Sequence, residues 1–529
     1  MARDWQVADR RGGCLGNSAR KTVDGCGRRV FAGAANQSCV YGNLFGLQLM
    51  NTLDYIILVV YFLMVCGVAA VFAGKQKSLK DYFLGDRNVP WYAAMFSGIA
   101  TIVSATSFIG GPAVAFTGNL QFLQYRLALP IVLGIICGLI LPTFFRQQIY
   151  SIYEYLERRF DVRVRLVASV LFLLLKSIYL AICIYAPALV LARMTGLPVI
   201  GIVLAVGVVT ALYTMAGGIK AVIWTDTLQL GIFIGAIGFV LYLVCSRVEG
   251  GAPAVWQIAG EHGHLDFFNF STSLKEPYTF LGGLLGGTVY TLSQFGVDQA
   301  EVQRYLTTKN IRQSNLAMIT SMLAATVVGF ALFFIGAALF AFYQAYPQKL
   351  GEGVGPNDIF PKFIIEELPH GIKGVLIAAI LAAAMSTVSA VLNSMATVTL
   401  SDIWPRVSQH KPGVRAGRIC TLAFGAMATV FACFGNHFGN ILELSLMIGN
   451  LFGGSLVGTF LLGMLTRRVT ARAALVAMIC GFASALWLAF FTDVARMWYG
   501  FFSMLVVFAV GFAVSLLGPK SSTRAPAKN

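Results

Sequence analysis

Between Gly374 and Ser401 the chain reads GVLIAAILAAAMSTVSAVLNSMATVTLS, an apolar run with Ser386, Thr387, Ser389, Asn393 and Ser394 in its middle. Oxygens are the ligands that hard cations prefer, and Ala383, Ser386 and Thr387 stand at i, i+3 and i+4, on one face of a helix. Small residues on that face leave backbone and hydroxyl oxygens accessible together. Two plainer roles fit the same spacing. The hydroxyls could bond back to their own helix, or the small residues could let neighbouring helices pack closely. Other chemistry has little to stand on. His262, His264, His370, His410 and His437 fall in or near loops, none beside a candidate nucleophile. The cysteines show no CxxC or CxxH spacing, and Cys66, Cys137, Cys183, Cys245, Cys420, Cys433 and Cys480 lie in apolar runs as packing residues. There is no phosphate-binding loop and no hydrolase motif, so neither an enzyme nor an ATP-driven pump is expected.

Lys176 is the other residue placed to do chemistry. It lies about ten residues into the apolar segment 165–193, roughly 15 Å from its start at 1.5 Å per residue. A cation at that depth is costly unless paired. Tyr179 shares its face. Functionally, the lysine reads a carboxylate on a substrate; structurally, it pairs with an acid such as Asp226 or Glu154. Arg126 lies only a few residues inside the segment 121–145, where snorkelling to the surface accounts for it.

These groups need a frame. Of the 529 residues 57% are hydrophobic and only 12% charged, with a mean hydropathy of +0.74, the composition of a polytopic α-helical membrane protein. Hydropathy outlines about thirteen spans: 53–73, 92–117, 121–145, 165–193, 198–216, 222–246, 278–300, 316–344, 372–402, 416–435, 438–466, 473–492 and 497–517. Loops 74–91, 146–164, 301–315, 403–415 and 467–472, with the tail 518–529, carry most of the Lys and Arg, among them Lys75, Arg87, Arg158, Arg163, Lys309, Arg406 and Arg467. That asymmetry accounts for the net charge of +16 and places the N-terminus outside and the C-terminus in the cytoplasm of a cell (plasma or inner) membrane. The Arg-, Gly- and Cys-rich residues 1–49 run against this pattern. They are expected to be a disordered tail or to precede a true start at Met50.

Two spans are interrupted by glycine and proline. The second passes through Gly98, ATIVSATS (100–107), Gly110, Gly111 and Pro112; the seventh opens on Gly282, Gly283, Gly286 and Gly287, with Gly296 later. They are the first members of two five-helix sets, 92–246 and 278–466. Broken helices at matching places in two halves point to an inverted-repeat secondary transporter with its binding site at the midplane.

The segments KSLKDYFLGDRNVPWYAAMFSGIAT (77–101), IYSIYEYLERRFDVRVR (149–165), GGIKAVIWTDTLQ (217–229), VDQAEVQRYLTTKN (297–310) and AMSTVSAVLNS (384–394) resemble the sodium:solute symporter family. IYAPALVLARMTG (184–196) and LDFFNF (265–270) look most like its monocarboxylate and multivitamin branch. The resemblance runs from about 53 to 466. It implies an all-α fold with a five-plus-five inverted-repeat (LeuT-like) core: an extra helix and loop at 50–91, repeats at 92–246 and 278–466, and two peripheral helices at 467–517. It implies Na⁺ as the coupling ion, no cofactor, a small-molecule substrate, a lipid surround and no nucleic acid. The main sodium site would use the carbonyls of Ala100, Val103 and Ala383 and the hydroxyls of Ser386 and Thr387. A second, found in part of the family, would use Asp226, Ser389 and the following residue, where this chain has Ala390 and so lacks one ligand. One sodium per cycle is therefore expected, and Asp226 has a plainer role as partner of a basic loop residue.

By the same resemblance the substrate sits beside Ser104, Ser107, Thr291 and Gln294. Gln294 stands where sugar-transporting relatives carry an aromatic gate, which argues against sugars. Tyr179 stands where the sialic-acid branch has an arginine, which argues against sialic acid. The reading is import of a small monocarboxylate, with pantothenate, an amino acid such as proline, or an inorganic anion as runners-up. A transporter-like sensor is the alternative of a different class, although only 518–529 follow the last span; a channel is a third possibility, without a visible pore-loop repeat.

Overall fold

Helix starts are written in the sequence as capping residues. Asn51 forms a capping box with Asp54, Asp161 accepts from the N–H groups of Arg163 and Val164, and Asn310 accepts from Gln313 N–H. The structure, a computed structural model, describes residues 50–351, 353–435 and 441–517. The expectations for 1–49, for the tail 518–529 and for His437 lie outside the described residues.

Among the described residues, nine helices are each long and apolar enough to cross a membrane, and a bent pair, Trp91–Ile102 with Ala105–Thr117, makes a tenth. One of the nine, Val199–Arg247, is 49 residues long, roughly twice what a bilayer needs. It contains two of the expected spans. Gly218 divides them, at φ 59° and ψ −156°, a conformation open to glycine; a Cβ there would also meet the Tyr82 carbonyl oxygen at 2.7 Å. The helical stretch Gly282–Phe295 and the 25-residue helix Ile441–Leu465 occupy the other expected segments.

The two interrupted spans differ. The second is broken: its halves meet at 55°. The seventh stays helical through a π turn at Gly282–Gly286. Its glycines serve close packing, since a Cβ on Gly286 would meet the Met497 carbonyl oxygen at 2.2 Å and one on Gly287 the Tyr125 Cβ at 2.8 Å. Seating the Gln121–Ala128 segment and the last helix against this face requires residues without side chains.

Every residue from Leu376 to Val398 is buried, as a helix apolar all round must be, so the hydroxyl-bearing helix Ile372–Val398 is the core element. Its N-terminus is tied to the first helix. Asp54, fully buried, accepts from the N–H groups of Gly371 and Gly374, both at 2.8 Å. Its other end is held by charge: Arg165 pairs with Asp402 at 2.5 Å and Glu157 at 2.6 Å, while Asp402 also accepts from Ser151 and Ser169. The helix is thus clamped at both ends, and its middle is free to carry a site.

Candidate functional site

The helix Trp91–Ile102 ends at Val103 (φ −87°, ψ 81°), and the chain restarts as a helix at Ala105, with Ser104 as its cap. The break leaves backbone carbonyls without their usual partners four residues on. Ser386 Oγ donates to the Ala100 carbonyl at 2.9 Å and lies 3.2 Å from the Ala383 carbonyl. Thr387 Oγ1 lies 3.3 Å from the Thr101 carbonyl and 3.1 Å from that of Ala383. Val103 borders the narrow space beside Ser386, together with Ala100 and Ala383. The structure therefore gathers Ala100, Ala383, Ser386 and Thr387 into one oxygen cluster with Val103 at its edge. The hydroxyls do bond back to their own helix, but they also cross to the broken one. A neutral, all-oxygen donor set of this kind suits a hard monovalent cation.

Asp226 and Ser389 sit differently. Ser389 Oγ donates to the Ser386 carbonyl at 3.0 Å within its own helix and also stands in hydrogen-bonding reach of Asp226. Asp226 accepts from Ser97 at 2.6 Å and pairs with Arg304 at 3.2 Å, the two charged groups being almost wholly buried. The basic loop partner proposed for this acid on its plainer reading is Arg304. A guanidinium in place disfavours a cation at the same carboxylate.

Beside the break lies a cavity of about 560 Å³. All six residues expected at the substrate, Ser104, Ser107, Lys176, Tyr179, Thr291 and Gln294, line it, and so does Thr387. Ser104 and Ser107 face each other at 3.4 Å, and Gln294 Nε2 donates to Tyr290 at 2.9 Å. Lys176 is paired, but neither Asp226 nor Glu154 is its partner. It meets Asp298 at 2.5 Å and lies over the Tyr179 ring at 4.8 Å. Asp226 is taken by Arg304, and Glu154 lies by Arg165 and Arg158. Arg126 does not snorkel away: it lines the cavity, its guanidinium 4.7 Å over the Tyr125 ring.

Two acids on the cavity wall went unassigned in the sequence, Asp298 and Glu301. Glu301 is 4% exposed, and its Oε2 has no hydrogen-bond partner among the described residues. Their signal was available: the two acids stand three apart across the end of the expected span 278–300, where ionisable groups are expensive and functional.

Residues 82–481 match the profile of the sodium:solute symporter family. The chain is 35% identical to the sodium/sialic acid symporter of Aliivibrio fischeri over 88% of its own length and 93% of that protein. It is 32% identical to the human sodium-coupled monocarboxylate transporter 1 over 80% of its length and 70% of that protein. Among solved structures, it superposes on a substrate-bound, outward-open Na⁺-coupled sialic acid symporter with a TM-score of 0.83 and 31% identity, covering 89% of this chain and 99% of that one. A nucleobase–cation symporter shares the fold at a TM-score of 0.55 and 17% identity.

Proposed function

The chain belongs to the sodium:solute symporter family and is a multi-pass, sodium-coupled membrane symporter; we propose that its solute is a small organic carboxylate, imported by alternating access. The observation that carries this reading is the oxygen cluster across the broken helix, with Thr387 in both the cluster and the cavity wall. A sodium ion bound among the oxygens of Ala100, Val103, Ala383, Ser386 and Thr387 exchanges its hydration shell for carbonyl and hydroxyl dipoles. The hydrogen bonds that now join the hydroxyls to the carbonyls give way as every oxygen turns to the ion. The broken helix and the Ile372–Val398 helix, held apart or together by the same atoms, then respond to the ion. With Asp226 engaged by Arg304 and no oxygen on Ala390, one sodium accompanies each solute.

The solute lies between Ser104 and Ser107 on the broken helix and Thr291 and Gln294 on the seventh, with Tyr179 and the Lys176–Asp298 pair at the wall. Named substrates of the two relatives above, sialic acid and monocarboxylates, have a carboxylate in common, and a cavity of about 560 Å³ accommodates solutes of either size. Loops rich in Lys and Arg put the C-terminal side in the cytoplasm, so inward sodium movement drives import.

The test is uptake by purified protein in liposomes. Labelled lactate, pyruvate, pantothenate, gluconate, N-acetylneuraminate, proline and iodide are offered with an inward sodium gradient and with potassium in its place. Saturable, sodium-dependent uptake of at least one carboxylate is expected. Sodium-dependent uptake of proline or of iodide alone moves the solute to the amino acids or the inorganic anions.

A further inference from the structure

The carboxylate needs a cation, and the expected one is engaged. Among the described residues three basic side chains line the cavity: Arg126, Lys176 and Arg496. Lys176 is neutralised by Asp298, and Arg496 has interactions of its own. Arg126 is half-buried, has no acidic partner among the described residues, and leaves its Nε without an acceptor. A guanidinium stripped of part of its water and given no counter-ion is costly to keep.

Its placement is built. Arg126 lies in the 3₁₀ segment Gln121–Ala128, whose backbone at Gln124 and Tyr125 presses against Gly283 and Gly287 of the seventh helix. That contact brings the arginine to the wall shared with Tyr290 and Thr291. The Tyr125 ring supports one face of the guanidinium, and Gly329 lies beside an Nη, where a Cβ would make an ordinary contact at 3.7 Å. A planar fork with aromatic backing in a cavity lining is a group that receives a planar anion through two parallel hydrogen bonds.

We infer that Arg126, and not Lys176, is the anchor for the substrate's carboxylate, which docks against its guanidinium in the cavity while the rest of the solute extends toward Gln294 and the Lys176–Asp298–Glu301 wall. This rests on the carboxylate reading above and makes Arg126 the residue that selects acids over neutral analogues.

The test is binding rather than transport: stabilisation of the full-length protein against heat, in detergent, by lactate, gluconate or N-acetylneuraminate and by the corresponding primary amides. Wild-type protein is expected to bind an acid and to discriminate against its amide. Arg126→Gln is expected to weaken the acid on the order of 100-fold, the scale for truncating one side of a desolvated charge pair, and to leave the amide within a factor of about two. Arg126→Lys, which keeps the charge but not the fork, falls between them. An Arg126→Gln protein that is still stabilised by sodium and keeps the wild-type preference for acid overturns the assignment. So does wild-type protein that binds acid and amide equally, or binds none of the acids, whether or not any variant folds. Acid binding that ignores sodium defeats the coupling at the Ser386 cluster and leaves the anchor standing.

Discussion

Replacing both Ser386 and Thr387 by alanine removes two of the five oxygens proposed to hold the ion. A hydrogen-bonding dipole facing a charge contributes about 1.5–3 kcal/mol, so each hydroxyl alone accounts for roughly a tenfold to hundredfold change in sodium half-saturation. The two are not independent, because both reach the Ala383 carbonyl, at 3.2 and 3.1 Å, and neighbours sharing a partner do not add. The double variant is therefore expected to need about 100- to 1000-fold more sodium. The fold should survive, since the Ala100 and Thr101 carbonyls each lose one donor, a loss of about 2 kcal/mol in all. Thr387→Ser keeps the oxygen and is expected to stay within about threefold of wild type. The assay is solute uptake by proteoliposomes titrated with external sodium at constant ionic strength, with sodium-induced thermal stabilisation as a measure free of transport. If the Ser386→Ala, Thr387→Ala protein accumulates solute with an unchanged sodium half-saturation, the oxygen cluster is not the coupling site.

Three further outcomes follow from buried charges. Lys176→Ala leaves Asp298 without its partner; the pair keeps 18% and 13% exposure, so the loss should be about 2–3 kcal/mol of stability, at or below the usual range for a buried pair. Adding Asp298→Asn should recover more than half of it, as read from the thermal unfolding midpoint; no recovery would mean that the lysine acts through something else. Asp54→Ala removes the acceptor of two N–H groups at 2.8 Å and half of a capping box, a loss of about 2–3 kcal/mol; protease resistance of the first helix should fall with it. Asp402→Ala leaves the 9%-exposed Arg165 short of its closest counter-ion and should cost about 3–5 kcal/mol, whereas Asp402→Asn, still a partner for Ser151 and Ser169, should cost less in the same unfolding measurement.

What the sequence disclosed was governed by local spacing. Three residues at i, i+3 and i+4 share a face whatever the tertiary structure, so the oxygens of Ala383, Ser386 and Thr387 could be grouped in advance. The gap left between the expected spans 198–216 and 222–246 likewise falls where Gly218 divides a continuous helix. Partners distant in sequence were another matter. Lys176 finds its acid 122 residues away, and no periodicity selects Asp298 over Asp226 or Glu154. Arg126 was misjudged through depth: counting from the start of an apolar run assumes a helix that begins at the surface and rises evenly. A tighter 3₁₀ segment pressed onto a glycine face brings the residue to the cavity instead. Glycines in the seventh span were ambiguous for a related reason, because glycine serves both a break and a close approach. Only the position of the Met497 carbonyl separates the two.

Thr387 belongs to both the oxygen cluster and the wall of the solute chamber. On the proposed function two ligands share that side chain and cannot be indifferent to each other, and linkage makes the debt mutual: by whatever factor sodium sharpens affinity for the solute, the solute sharpens affinity for sodium. A carrier built on such a party wall resists slippage, since either passenger alone leaves the hydroxyl half-committed.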